Sequence, residues 1–148
     1  MRAVIQRVSS ARVTAGDHST AIGKGLLVLV GVERGDDRAD VEYIARKVRE
    51  LRVFDESDKG FSRSVVETSL EVMVVSQFTL AADCRKGRRP SFDDAAPPEA
   101  AEPLYEEVVS EIERAGVRVV TGRFRAMMQV SLVNDGPVTL LLDSKKQF

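Results

Sequence analysis

The sequence predicts a mixed α/β domain in which a layered or barrel-like β-sheet carries two main helices packed on one side. Three observations lead there. Runs rich in valine, isoleucine and leucine recur at strand length, at 3–8, 11–14, 25–32, 70–77, 117–121, 126–133 and 138–142. Two other stretches, 38–51 and 99–115, space their apolar residues at the helical period. No linker, repeat or low-complexity tract divides the 148 residues, and a chain of that length buries about 68–70% of its unfolded surface as one domain, here 1–148.

In order, 3–8 and 11–14 read as two strands with Ser9-Ser10 as a bend, followed by polar turn sequence at 15–19 and a short strand at 20–22. The unbroken apolar run 25–32 fits a strand buried on both faces. Its preceding Gly23-Lys24-Gly25 reads as a turn, because a phosphate loop would follow a strand instead. Asp36 or Asp37 caps a helix over 38–51, whose Val41, Ile44, Val48 and Leu51 share one face. Residues 52–54 suggest a short strand, and the polar, glycine-bearing 55–64 a loop placed to cover a site. In 70–77, Val72 and Val74 fall on one face and Met73 and Val75 on the other. Residues 82–98 form the longest irregular stretch, and 99–115 a second helix with Leu104, Val108, Ile112 and Ala115 inward and Gly116 as its stop.

Composition narrows the function. The net charge of −1 gives no global field to recruit nucleic acid, so RNA contact must use local patches, and neither DNA nor a membrane is expected as a partner. The longest apolar run is far too short to span a bilayer, and no signal-peptide pattern opens the chain. A lone cysteine, Cys84, precludes an internal disulfide and suits a reducing, cytoplasmic setting. His18 is the single histidine and has no second histidine or cysteine to share a metal with, so neither metal nor cofactor is expected. Cys84 lacks a histidine base nearby in sequence, and a Ser-His-Asp triad would have to recruit His18.

What remains is a polar end to a buried strand, Ser76-Gln77-Phe78-Thr79, with Thr79 as the best hydroxyl. A threonine without a base is a weak nucleophile, whereas successive N–H groups at a strand end can stabilise an oxyanion with no ionisable side chain. Arg85, Lys86, Arg88 and Arg89 in the irregular stretch read either as a solvated basic turn or as phosphate contacts. Gly136-Pro137 interrupts the last strand-like run. On its residues alone it reads as a turn with a trans proline, or as an interruption that aims main-chain carbonyls at something.

SQFTLAA (76–82) together with NDGPVT (134–139) resembles the paired signatures of the D-aminoacyl-tRNA deacylase family. IQRV (5–8), GLLVLVGV (25–32), RPSF (89–92), LY (104–105) and TGRF (121–124) are also similar, so the resemblance covers essentially the whole chain. It implies an esterase that removes D-amino acids from the 3′ end of tRNA and works as a homodimer. It also implies a cis Gly136–Pro137 peptide that enters the partner subunit's pocket as a chirality gate. Carried onto this chain, Ser76, Gln77, Phe78 and Thr79 line the place of the ester and terminal adenosine, Phe78 and Thr79 serve catalysis, and Phe124 and Met128 line the pocket. The chain departs from the family's common pattern at Phe61, Ser62, Arg125 and Met127. Two other functions fit the same residues: a non-catalytic module binding tRNA ends, and a small-ester hydrolase with Thr79 as nucleophile.

Overall fold

The structure, a computed structural model, describes residues 1–55 and 60–148. Residues 56–59, within the expected loop at 55–64, lie outside the described residues. The valine- and leucine-rich runs pair into one six-stranded sheet of order β2-β1-β3-β4-β5, with β6 paired to β1. The strands are β1 (Arg2–Ala15), β2 (His18–Ile22), β3 (Gly25–Gly31), β4 (Glu71–Ser76), β5 (Val119–Thr121) and β6 (Gln129–Asp143). β3, β4 and β5 run parallel to one another, and every pairing of β1 is antiparallel.

β1 bends the sheet. Residues 2–8 pair with β3 and residues 11–15 with β2, while β6 follows the other edge from Arg2 to Thr14. Between Val8 and Ser10 two steps of β1 oppose one step of β6, a one-residue bulge at Ser9. The bulge reverses the in–out alternation. Ala3 and Ile5 face one core, and Val8, Ala11 and Val13 face another. Where the sequence suggested two strands joined by a bend, pairing with β6 on both sides of the bend makes one bent strand. The curled sheet is nearly a closed barrel, with the second core inside it.

The first core lies between the sheet and helices α1 (Arg38–Glu50) and α3 (Pro98–Glu113). Asp37 caps α1 in a reciprocal pair with Asp40, and Val41, Ile44 and Val48 are buried as their spacing predicts. Pro98 opens α3, where its missing N–H has no partner to lose. Its buried stripe runs through Ala101, Tyr105, Val108 and Ile112, leaving Leu104 and Ala115 at the margin. A one-turn helix, α2 (Val65–Thr68), is too short for periodicity to announce; Ser64 and Glu67 cap it reciprocally. The strand expected at 52–54 reduces to one bridge, Phe54 to Arg63. Among the described residues no helix is long and apolar enough to cross a membrane.

Candidate active site

β4 is flanked by parallel neighbours on both sides, and Val72, Met73, Val74 and Val75 are all buried. Beyond Ser76 the Gln77 amide still donates to the Val30 carbonyl (2.7 Å), and the chain then closes into a single tight helical turn, Phe78–Ala81. Gly31 permits that approach. A Cβ there would stand 2.8 Å from the Gln77 carbonyl oxygen and 2.9 Å from the Leu80 Cβ. Leu80 is the first residue of the turn to bond back, to Gln77 (3.1 Å), so the amides of Phe78 and Thr79 have no acceptor within it. Arg2 grips the other end of the turn by donating to the Leu80 carbonyl (3.0 Å) while pairing with Glu33 (3.2 Å). The result is two consecutive N–H groups at the wet end of a buried strand.

Thr79 is exposed, and its hydroxyl accepts from the Gln77 carboxamide; no base is bonded to it among the described residues. His18 begins β2, Cys84 is exposed, and no described group of three or more histidines, cysteines and carboxylates is placed to hold a metal.

Phe124 and Met128 stand at the same end of β4. The Gly122 amide donates to the Val74 carbonyl (3.4 Å), so the segment after β5 leaves the sheet beside the outgoing strand. Phe124 rests against Tyr105, with ring centroids 5.7 Å apart, and the Tyr105 hydroxyl donates to the same Val74 carbonyl (2.9 Å). Burial pushes the Tyr105 phenol above its ordinary range, aided by the charge of Glu106. Met128 packs on the second core, and a Cβ on Gly122 would meet its sulfur at 2.6 Å. Of the departures from the family pattern, Arg125 takes a left-handed conformation (φ 59°) and Met127 stands 93% exposed.

The second signature makes a larger bulge. Asn134 pairs with Val8 and Thr139 with Gln6, so Arg7 alone opposes the four residues 135–138. Asn134 closes the base of this bulge by donating to the carbonyls of Arg7 (2.9 Å) and Val138 (3.0 Å). Its tip is Gly136–Pro137, a cis peptide with both residues exposed. Gly136 has φ 121°, a region that side-chain-bearing residues avoid.

Arg7 lies beneath the bulge and is buried. Its Nε donates to the Asp135 carbonyl (3.3 Å) and faces the Asp135 carboxylate (3.2 Å). Its Nη1 donates to the Val53 carbonyl (2.6 Å) and to Asp55 (3.4 Å), and the guanidinium stacks 5.5 Å from the centre of the Phe61 ring. Arg7 was not among the site residues expected from the sequence. The signal was there, since strand alternation places it on the inward face with Ala3 and Ile5, where an arginine requires partners.

One chain does not bring the two signatures together. Arg7 is level with Leu26 and Val72, four residues short of Ser76 along β4, or about 13 Å. From β6 through β1 and β3 to β4 adds three strand spacings, roughly 14 Å on an uncurved sheet. Two open clefts among the described residues include neither signature. One, of about 430 Å³, is lined by Arg49, Arg52, Ser64 and Glu67, and the other, of about 280 Å³, by Arg12, Ile22, Leu132 and Val133. Phe78 and Thr79 of the first signature, and Gly136 and Pro137 of the second, are exposed at the surface.

The basic stretch forms a loop closed by a bridge between Asp83 and Ser91. Arg85 is engaged by Asp83 through two contacts (2.9 and 2.8 Å), and that partnership holds the Asp83 carboxyl well below the usual carboxylate range. Lys86, Arg88 and Arg89 are exposed and form no ion pair among the described residues. The loop is moored to the corner after β3, where Arg34 bonds the carbonyls of Asp93 (2.7 Å) and Asp94 (2.8 Å).

Residues 4–143 match the model of the D-Tyr-tRNA(Tyr) deacylase family. A D-aminoacyl-tRNA deacylase of Roseiflexus sp. (strain RS-1) is 57% identical over 145 residues, which cover 97% of this chain and 94% of that protein. One of Desulfatibacillum aliphaticivorans is 56% identical over 146 residues, covering 98% and 100%. Among solved structures, one titled c-Myc DNA unwinding element binding protein superposes with a TM-score of 0.89 at 42% identity, covering 97% of this chain and 98% of that one. A probable eukaryotic D-amino acid tRNA deacylase shares the fold, with a TM-score of 0.82 at 16% identity over 95% of this chain and 97% of that one.

Proposed function

Because this chain belongs to the D-Tyr-tRNA(Tyr) deacylase family, we propose that it hydrolyses the ester between a D-amino acid and the 3′ end of tRNA, releasing both. One observation carries the reading: the free amides of Phe78 and Thr79 stand at a strand end where, among the described residues, no side-chain base is bonded to the Thr79 hydroxyl. An ester next to a ribose hydroxyl suits such a site. Water attacks the ester carbonyl, the neighbouring 2′-hydroxyl orients it, and the Phe78 and Thr79 amides receive the developing oxyanion. The ester bond then breaks toward the ribose oxygen, which takes up a proton. Ser76, Gln77, Phe124 and Met128 form the walls around the ester and terminal adenosine, and Arg88, Arg89 and Lys86 meet phosphate.

Stereochemistry falls to the bulge. A pocket that must accept D side chains of every size cannot select by side-chain fit, which separates neighbours by only about 1–3 kcal/mol. A wall of main chain beside Cα obstructs an L side chain from its first carbon and leaves a D side chain pointing outward. Gly136 and Pro137 form that wall, supplied to the Ser76–Thr79 pocket by a second copy, because within one chain the bulge sits mid-strand in β6, about 13 Å along and three strands across from Ser76. The working protein is therefore a homodimer acting in the cytoplasm, and glycine, with no side chain to obstruct, passes the wall.

Incubating the protein with matched D- and L-aminoacyl-tRNA and following ester loss tests this directly. Loss of the D-ester alone is expected. Tight binding with neither ester cleaved would establish a tRNA-end binding module instead. Cleavage of small esters lacking RNA, abolished by Thr79→Ala, would establish the threonine hydrolase.

A further inference from the structure

Phe92 keeps 37% of its surface in water beside a Phe78 that is 58% exposed. The two rings meet edge-on, with centroids 5.1 Å apart and planes 62° apart. The two adjacent rings offer flat aromatic faces of the kind on which nucleic-acid bases stack. Their surroundings select the partner. Phe92 directly follows the bridge that closes the basic loop, whose far end presents Lys86, Arg88 and Arg89 without ion-pair partners among the described residues. The carboxylates lie at the base of the loop. Asp83 is held by Arg85, Asp93 accepts from the Ser91 hydroxyl (2.8 Å), and Asp94 is exposed. Rings for bases beside cations for phosphates are what unpaired nucleic acid requires.

The geometry points to a platform for the unpaired nucleotides that precede the terminal adenosine of tRNA. Phe92 stacks the adjacent base, and Arg88, Arg89 and Lys86 hold the phosphates around it. This rests on the tRNA-ester reading and extends it by one nucleotide. The contact tolerates any base, since every base offers a π-face. The 62° between rings adds a geometric consequence: bases lying flat on Phe78 and Phe92 cannot stack on each other, so the strand is unstacked at its last step.

The test uses a tRNA acceptor-end oligonucleotide with 2-aminopurine at the penultimate position and a non-hydrolysable D-aminoacyl amide at its 3′ end. Binding to the wild-type protein is expected to quench the fluorophore. Phe92→Leu, which keeps an apolar contact for Phe78, removes the quench and weakens binding by between about 5-fold and about 150-fold, and Phe92→Tyr retains both. A ligand reduced to the terminal adenosine with its amide binds wild type and Phe92→Leu alike. Replacing Arg88 or Arg89 by glutamine lowers the slope of log affinity against log salt by about 0.7 each. Absence of a quench with wild type overturns the platform, and so does a Phe92→Leu loss of the same size on the short ligand. Dissociation of the dimer by Phe92→Leu would reassign the rings to contact between copies. Ester loss from D-aminoacyl-tRNA, followed in parallel, separates the two failures: cleavage without quench removes the platform and leaves the deacylase reading, whereas absence of both cleavage and quench removes the two together.

Discussion

Arg7→Lys isolates what holds the bulge in place. The arginine spans two anchors, with Nε on the Asp135 carbonyl and Nη1 on the Val53 carbonyl. Lysine keeps the charge but has a single nitrogen at the tip, so it serves one anchor at a time. The shorter contact, at Val53, retains it, and the bulge loses its tie. A hydrogen bond from a charged donor is worth about 1.5–3 kcal/mol. The accompanying pairs with Asp55 and Asp135 add little, because those carboxylates are 47% and 43% exposed and such pairs give about 0–1 kcal/mol. Unfolding free energy should therefore fall by about 2–3 kcal/mol, read as a lower urea midpoint at constant slope. If the bulge is the stereochemical wall, loosening it by about 2 kcal/mol costs roughly 30-fold in the ratio of kcat/KM for D- over L-aminoacyl-tRNA, at tenfold per 1.4 kcal/mol. An unchanged ratio in a destabilised variant would refute the reasoning and leave Arg7 as a core brace. Unchanged stability would refute the energetic account itself.

Thr79→Ala should retain most deacylation, while a substrate lacking the 2′-hydroxyl should not be cleaved; single-turnover rates with intact tRNA binding decide between substrate-assisted and threonine chemistry. Glycyl-tRNA should be cleaved under conditions that clear a D-aminoacyl-tRNA, and its persistence would count against a steric wall. Gly31→Ala sets a methyl against the Gln77 carbonyl and Leu80, and overpacking of this sort costs about 1–3 kcal/mol; kcat should drop with it as the Phe78 and Thr79 amides shift. The Tyr105 phenol is raised by burial, so up to the ordinary tyrosine range near pH 10 it adds no pH dependence. Above that range the unfolded chain releases a proton that the folded chain keeps, so stability falls with rising pH by as much as about 1.4 kcal/mol per unit, and Tyr105→Phe removes this part of the slope in alkaline melts.

Much of the fold was legible because its signals are local. The helical spacing of Val41, Ile44 and Val48, and the division of Val72 and Val74 from Met73 and Val75, appear in the structure as the pattern demands. α2 escaped because four residues carry no period, and 52–54 looked like a strand because nothing local reveals that only Phe54 forms a β-bridge. At the site, the polar end of β4 could be read directly, and SQFTLAA with NDGPVT pointed to the family that the whole-chain match establishes.

The sequence by itself determined the strand and helix periods, the absence of a second histidine, and the two signatures. Tertiary structure alone decided that four residues of β6 face Arg7, that Gly31 lets the Gln77 turn sit against β3, and that three strands separate the two signatures. The physical reason is range: propensity and alternation act over a few residues, whereas register and close approach are set by contacts between segments tens to more than a hundred positions apart.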